Sequence, residues 1–357
     1  MGNILYIFFI LLALVFVLIA DKKNKKVFLY ISIIIFSLVS GLRGINVGID
    51  TALYNNAFLH NFPYSWQFEE TGFRYISTFI MNLFHDPRYV FCFFAFITNG
   101  LILTRLWDFR EKCSMTAMVL LYSLTFYIDT MNIMRQFVVI AVIFYSTKLL
   151  EKNKYILFLL IILGLTFIHS SSLLALAYIP IYLWNSLSKS KKMLLIIPLI
   201  VCGSLAISYV IGYESGHISN YLSAQNSIDN VNIPFLYRVI IFAISYFLLV
   251  KNKIVIFKKN SIKKVNSEYS QEISKYRNVS YVYMAGLLLC SMGMFYVVMA
   301  RLGYYYAIFE LVYWGYVIKT SANKKMNFAM IITYAVYIFL LEFLTDGSGV
   351  FPFEFNL

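Results

Sequence analysis

Apolar runs of roughly membrane-spanning length recur about a dozen times along these 357 residues, and no hydrophilic stretch between them exceeds about 27 residues. They fall at 3–20, 27–42, 89–106, 114–129, 133–150, 155–169, 171–185, 193–211, 235–250, 279–299, 303–319 and 326–344. A bilayer admits only helices or closed barrels, and runs this long and continuously apolar read as helices. The expectation is one all-α polytopic integral membrane domain over 1–357, with about 12 transmembrane helices and no room for a separate soluble domain. With 61% hydrophobic residues and a mean hydropathy of +0.73, the composition agrees. Residues 71–84 are apolar but too short to cross, so they read as a re-entrant or interfacial helix.

The connectors alternate in character. All 21 lysines fall in or beside 21–26, 107–113, 151–154, 186–192, 251–277 and 319–325, which the positive-inside rule places in the cytoplasm. The intervening connectors, 43–88, 130–132, 169–171, 212–234, 300–302 and 345–357, hold no lysine and are extracytoplasmic. Twelve spans put both termini outside. The first apolar run lacks a basic segment before it, so it reads as a span and not a cleaved signal. The net charge of +13 resides mainly in the inner loops, which favours topology and anionic lipid over nucleic acid as its explanation. The longest inner loop is 251–277.

Of the nine arginines, six (Arg43, Arg74, Arg88, Arg135, Arg238 and Arg301) belong to the lysine-free face. A topological bias thins both residue types alike. Keeping only the side chain whose planar fork grips phosphate bidentately suggests an anion site there. All four histidines share this face, and the absence of a Gly-rich phosphate loop removes a nucleotide reading. The four cysteines lack CxxC spacing, and neither a disulfide nor a metal cluster is expected.

Five constellations carry candidate chemistry. In Arg43-Gly44-Ile45-Asn46-Val47-Gly48-Ile49-Asp50-Thr51-Ala52-Leu53-Tyr54, the glycines permit a tight turn and Asp50-Thr51 is a helix start. Arg43 is suited to a phosphate; Asp50 either orients that arginine or accepts a proton from an attacking hydroxyl. The plainer alternative is a helix cap beside a snorkelling arginine. In Glu70-Thr71-Gly72-Phe73-Arg74, helical spacing pairs Glu70 with Arg74. Asn132, Arg135 and Gln136 stand at i, i+3 and i+4, one polar face at the outer end of a span, lining a cavity or bonding helices together. His169, in Phe167-Ile168-His169-Ser170-Ser171-Ser172, is a base, a donor to phosphate, or a packing residue. Arg301 precedes Gly303-Tyr304-Tyr305-Tyr306, whose rings suit either the membrane interface or a sugar face. Glu310 lies deep in its span without an assigned role.

Taken in order, Arg43…Val47-Gly48-Ile49-Asp50-Thr51…Tyr54, Glu70-x-Gly72-Phe73, Asn132-x-x-Arg135-Gln136, Phe167-x-His169-Ser170, Arg301…Tyr305 and Phe351-Pro352-Phe353 resemble the EpsG family. These are Wzy-like polymerases of bacterial surface polysaccharide. The resemblance covers nearly the whole chain and departs at Ile49, where the family usually carries threonine. It implies a GT-C-like, metal-independent membrane glycosyltransferase without a cofactor. Its donor and acceptor would be undecaprenyl-diphosphate-linked oligosaccharide repeats, and a chain-length regulator would be a conceivable partner. The implied location is the bacterial cytoplasmic membrane, with the active site facing outward. Arg43, Arg135 and Arg301 would bind diphosphate, and Asn132, Gln136, Tyr54 and Tyr305 would contact substrate. Asp50, then His169, then Glu70 are the candidates for the base. Rival readings are a lipid-oligosaccharide flippase, an O-antigen ligase and a membrane O-acyltransferase. A flippase should show polar groups through many spans, and an acyltransferase should offer a cytoplasmic histidine. Neither feature is evident.

Overall fold

The structure, a computed structural model, describes residues 1–60, 62, 70–183, 240, 243, 267–292, 297–320, 324–345 and 347–356. The described residues are helical, with no strand beyond an isolated antiparallel bridge between Arg43 and Phe355. The chain divides into two compact units. The first comprises Met1–Tyr145, Phe167–His169 and Leu311–Leu357, the second Ser146–Thr166 and Ser170–Glu310.

In the first unit, α1 (Gly2–Lys23), α2 (Lys26–Gly41) and α5 (Pro87–Trp107) pack side by side. Aliphatic and aromatic side chains fill the seams, and few hydrophilic groups intrude. Two that do are bonded: Ser32 Oγ donates to the Ala13 carbonyl at 2.7 Å, and Tyr122 Oη donates to Asn99 Oδ1 at 2.8 Å. Between them in sequence come the short helices α3 (Thr51–Leu59) and α4 (Thr71–Phe84). Helix α4 matches the expected 71–84 segment. Phe73, Ser77 and Ile80 are buried while Tyr75, Phe79 and Leu83 are exposed. At 14 residues it is about 21 Å long, short of a hydrocarbon core of about 30 Å. Helices α6 (Met115–Thr125), α7 (Tyr127–Asn132) and α8 (Met134–Glu151) follow.

The second unit holds α9 (Tyr155–Leu165), a 3₁₀ helix (Ser170–Ala177), α10 (Tyr178–Leu183), α11 (Ser267–Met292) and α12 (Val297–Ala307). Helices α11 and α12 approach closely through small residues: a Cβ on Gly286 would stand 2.5 Å from the Ala307 nitrogen. Helix α13 (Glu310–Thr320) begins in this unit and continues into the first, where α14 (Lys324–Thr345) packs on α6.

Among the described residues, three helices are long and apolar enough to cross a membrane: Gly2–Lys23, Pro87–Trp107 and Lys324–Leu344. Several expected segments are broken or shifted. The 303–319 run is divided between α12 and α13, and helix α11 starts at Ser267, inside the stretch expected to be the 251–277 loop. Asn132 ends α7, and Ile133 (φ −92°, ψ 54°) separates it from α8, so Asn132 does not share a helix with Arg135 and Gln136. The Asn132 carboxamide bonds backbone groups outside its own helix, a use of the side chain that competes with continued helical pairing. The expected spans 193–211 and 235–250 and loop 212–234, apart from residues 240 and 243, lie outside the described residues, as does Arg238.

Within the first unit, the two classes of connector gather separately. At the lysine-bearing end, Arg110 donates to Asn24 Oδ1 at 3.0 Å and Lys319 Nζ to the Arg110 carbonyl at 2.6 Å. At the lysine-free end, Phe353 N–H donates to Asn3 Oδ1 at 2.5 Å, and Gly44 N–H donates to the Glu354 carbonyl at 2.7 Å. The two chain ends therefore meet within the first unit.

Candidate functional site

The lysine-free end of the first unit brings Glu70, Arg135, His169, Tyr54 and Asp50 together from segments far apart in sequence. Glu70 is the pivot. It precedes α4 in the left-handed backbone region (φ 47°, ψ 48°), a conformation costing roughly 1–2 kcal/mol for a residue with a Cβ. That strained placement takes its carboxylate away from Arg74 and corrects the expected i,i+4 pair. One carboxylate oxygen accepts from Arg135 Nη1 and the other meets His169 Nδ1. Arg74 instead lies over the Tyr75 ring, 5.3 Å from its centroid.

The geometry follows from three local features. The α7–α8 break starts a new helix at Met134, placing Arg135 in its first turn. His169 sits between the end of α9 at Leu165 and the 3₁₀ helix starting at Ser170, so its backbone is not confined to a long helix. Gly72 brings the two parts together: its N–H donates to the Phe167 carbonyl at 2.8 Å, and a Cβ there would come within 2.9 Å of that oxygen. Glycine is needed because this backbone approach leaves no room for a side chain.

Arg135 also donates from Nε to Tyr54 Oη at 3.1 Å, and its guanidinium carbon lies 5.5 Å from the Tyr54 ring centroid and 5.6 Å from that of Phe73. These rings hold the cation by its face as well as its edge. The Glu70 side chain is only 8% exposed, whereas Arg135 and His169 remain 24% and 20% exposed. Burial disfavours the Glu70 carboxylate, but the charges and hydrogen bonds of His169 and Arg135 outweigh it and hold the group below its ordinary pKa. A carboxylate so engaged at both oxygens is an orienter, a poor base compared with Asp50 or His169.

Asp50 caps α3 through its backbone and is half-buried, as the helix-start reading expects, although its side chain makes no capping bond. Its charge acts on both Tyr54 and Arg135. Arg43 is differently placed from an open phosphate ligand. It is 2% exposed, stacked 4.5 Å from the Phe91 centroid, and held by Nε to Thr51 Oγ1 (3.0 Å) and Nη1 to the Ser40 carbonyl (2.6 Å). Its Nη2 has no hydrogen-bond partner among the described residues, and burial pushes its pKa down to about 10. Gln136 is buried.

Arg301 and Tyr305 lie on α12, in the second unit. Tyr305 is fully enclosed; its hydroxyl shares a 2.8 Å hydrogen bond with Ser171 Oγ and its carbonyl accepts from Tyr178 Oη. The ring is spent on packing and on fixing the 3₁₀ helix, where an open stacking platform for a sugar was expected. Among the described residues no group of His, Cys, Asp and Glu has the arrangement of a metal site.

Sequence reasoning missed two participants. Thr51 was read as part of a helix start, yet its hydroxyl is what Arg43 grips. The segment after α14 was noted only as an outer connector with a Phe-Pro-Phe pattern, yet it forms backbone bonds with Leu42, Gly44, Gly48 and Ile49. No local signal in the C-terminal segment announces partners about 300 residues away.

Neither the curated proteins nor the solved structures yield a match to this chain. A family model described as EpsG family matches residues 26–355, nearly the entire length, with all the residues of the cluster inside it. On that coverage the chain belongs to the EpsG family.

Proposed function

We propose that this membrane protein is a polysaccharide polymerase that joins undecaprenyl-diphosphate-linked repeat units on the outer face of the bacterial cytoplasmic membrane. EpsG membership supports a polymerase-type function, and the three membrane-capable helices support an integral membrane location. The observation that carries the chemistry is the pinning of Arg135 and His169 by one buried carboxylate, Glu70, beside Asp50.

In the reaction, an acceptor hydroxyl oxygen attacks the anomeric carbon of the donor sugar. The bond from that carbon to the diphosphate oxygen breaks, and its electron pair leaves with the lipid diphosphate. The hydroxyl proton passes to Asp50. Negative charge grows on the diphosphate as the bond breaks, so a fixed guanidinium beside it stabilises the transition state more than the ground state. Arg135 supplies that group, and Tyr54, Phe73 and Glu70 keep it from having to reorganise. With Nδ1 turned to Glu70, the other ring nitrogen of His169 is the one presented to a phosphate oxygen or sugar hydroxyl. Arg43, held by Thr51 and the Ser40 carbonyl, supports the backbone that carries Asp50. The fold would be GT-C-like, and Arg135 would do the work of a metal.

The test is genetic. A strain lacking the gene should display single repeats in place of long surface chains. Wild-type protein should restore the long chains, and Arg135→Lys, which keeps the charge but loses the planar fork, should restore at most a tenth of them. Unchanged chain length in the deleted strain would refute the reading.

A further inference from the structure

Three successive amides lead into Asp50, and each is held. Gly48 N–H donates to the Gly349 carbonyl at 2.6 Å, Ile49 N–H to the Ser348 carbonyl at 3.2 Å, and Asp50 N–H to Asn132 Oδ1 at 3.4 Å. Asn132 then closes the circuit: its Nδ2 donates to the same Ser348 carbonyl at 2.6 Å. The conformation at the crossing needs glycine on both strands of the contact. Gly48 (φ 88°) and Gly349 (φ 66°) are both left-handed, and a Cβ at Gly48 would lie 3.2 Å from Asn132 Oδ1.

The C-terminal side of this contact is itself anchored. Ser348 N–H donates to Glu342 Oε2 at 3.1 Å, at the end of α14. Further on, Phe351 and Phe353 are buried, with ring centroids 5.4 and 4.9 Å from that of Tyr6 on α1. A segment fixed at both of its ends can impose a position on the loop it touches.

We propose that Asn132 is a positioning residue that locks the Asp50 loop to the C-terminal segment, making residues 348–356 part of the catalytic apparatus. The proposal rests on Asp50 being the base. It replaces the expected substrate contact of Asn132 with a structural one. A carboxamide suits the task because it offers an acceptor and a donor on one planar group, and here both are used on backbone. A misplacement of about 1 Å in a reacting group can cost 10²-fold in rate, so the backbone around a base has to be fixed.

Asn132→Asp tests this in the full-length purified protein. It keeps the shape and the oxygen that accepts from Asp50 N–H, but sets a carboxylate oxygen against the Ser348 carbonyl. Turnover of a synthetic lipid-diphosphate-linked repeat should fall at least tenfold while its KM stays within about twofold. Amide hydrogen exchange at Gly48, Ile49 and Asp50 should accelerate. Should Asn132→Asp not accumulate in membranes, Asn132→Ala gives the same readouts without the repulsion. Wild-type turnover overturns the proposal. So does a raised KM with unchanged exchange, which would mark Asn132 as a substrate contact. If the wild-type protein transfers no sugar, the exchange measurement still decides the lock, and the failure belongs to the proposed reaction.

Discussion

Glu70 decides how the candidate site is read at the level of single residues, because one buried carboxylate fixes two cationic or hydrogen-bonding partners. Its pKa lies below the ordinary value of 4.5, so the ion pairs add stability that is fully present above that value and is lost as pH falls through the lowered one. Thermal unfolding in detergent should therefore show Glu70→Gln less stable than wild type at pH 7, with the gap closing as pH falls through the lowered value, below 4.5. A gap that stays constant to pH 3 would mean the carboxylate is not engaged as described. The site residues Asp50, Glu70, Arg135 and His169 were legible in the sequence as polar groups on one face of the topology. Their pairing was not. Helical spacing matched Glu70 with Arg74 because nothing in a glutamate signals a left-handed backbone. The burial of Arg43 was equally hidden, since its partner Thr51 reads as an ordinary helix start.

Among the elements, α4 is the one whose ends matter most. Its start is sealed to the His169 segment by Gly72, and its buried face carries Phe73 under the Arg135 guanidinium. Gly72→Ala should force Phe167 away and separate His169 from Glu70. Overpacking of this kind costs about 1–3 kcal/mol, so a roughly tenfold or larger loss of polymer is expected, with a lowered melting temperature. Normal polymer in Gly72→Ala would show that the close approach is not needed for activity. The bounds of α4 were legible because the apolar run 71–84 is too short to cross a membrane and stands apart from the long runs around it. A break between α7 and α8 was legible as the connector 130–132, but its place was not: it falls at Ile133 and leaves Asn132 on α7, where its carboxamide bonds backbone outside its own helix.

For the molecule as a whole, the separation of lysine-bearing from lysine-free connectors carried the correct grouping of the first unit's ends, because lysine placement reports on membrane sidedness directly. The number of spans did not follow as readily, as apolar content alone does not reveal where a helix breaks. The sidedness itself is open to chemical labelling. Single cysteines at positions 60 and 350 should react with an impermeant thiol reagent in intact spheroplasts, and one at position 24 should react only after the membrane is opened. External labelling at position 24 would reverse the assignment. The most direct test of the account combines purified protein with a synthetic undecaprenyl-diphosphate-linked repeat, following chain length and donor binding separately. Wild type should build polymers, Asp50→Asn should bind donor without elongating it, and Glu70→Gln should elongate at least tenfold more slowly. Elongation at the wild-type rate by both variants would contradict the claim that this cluster performs the transfer.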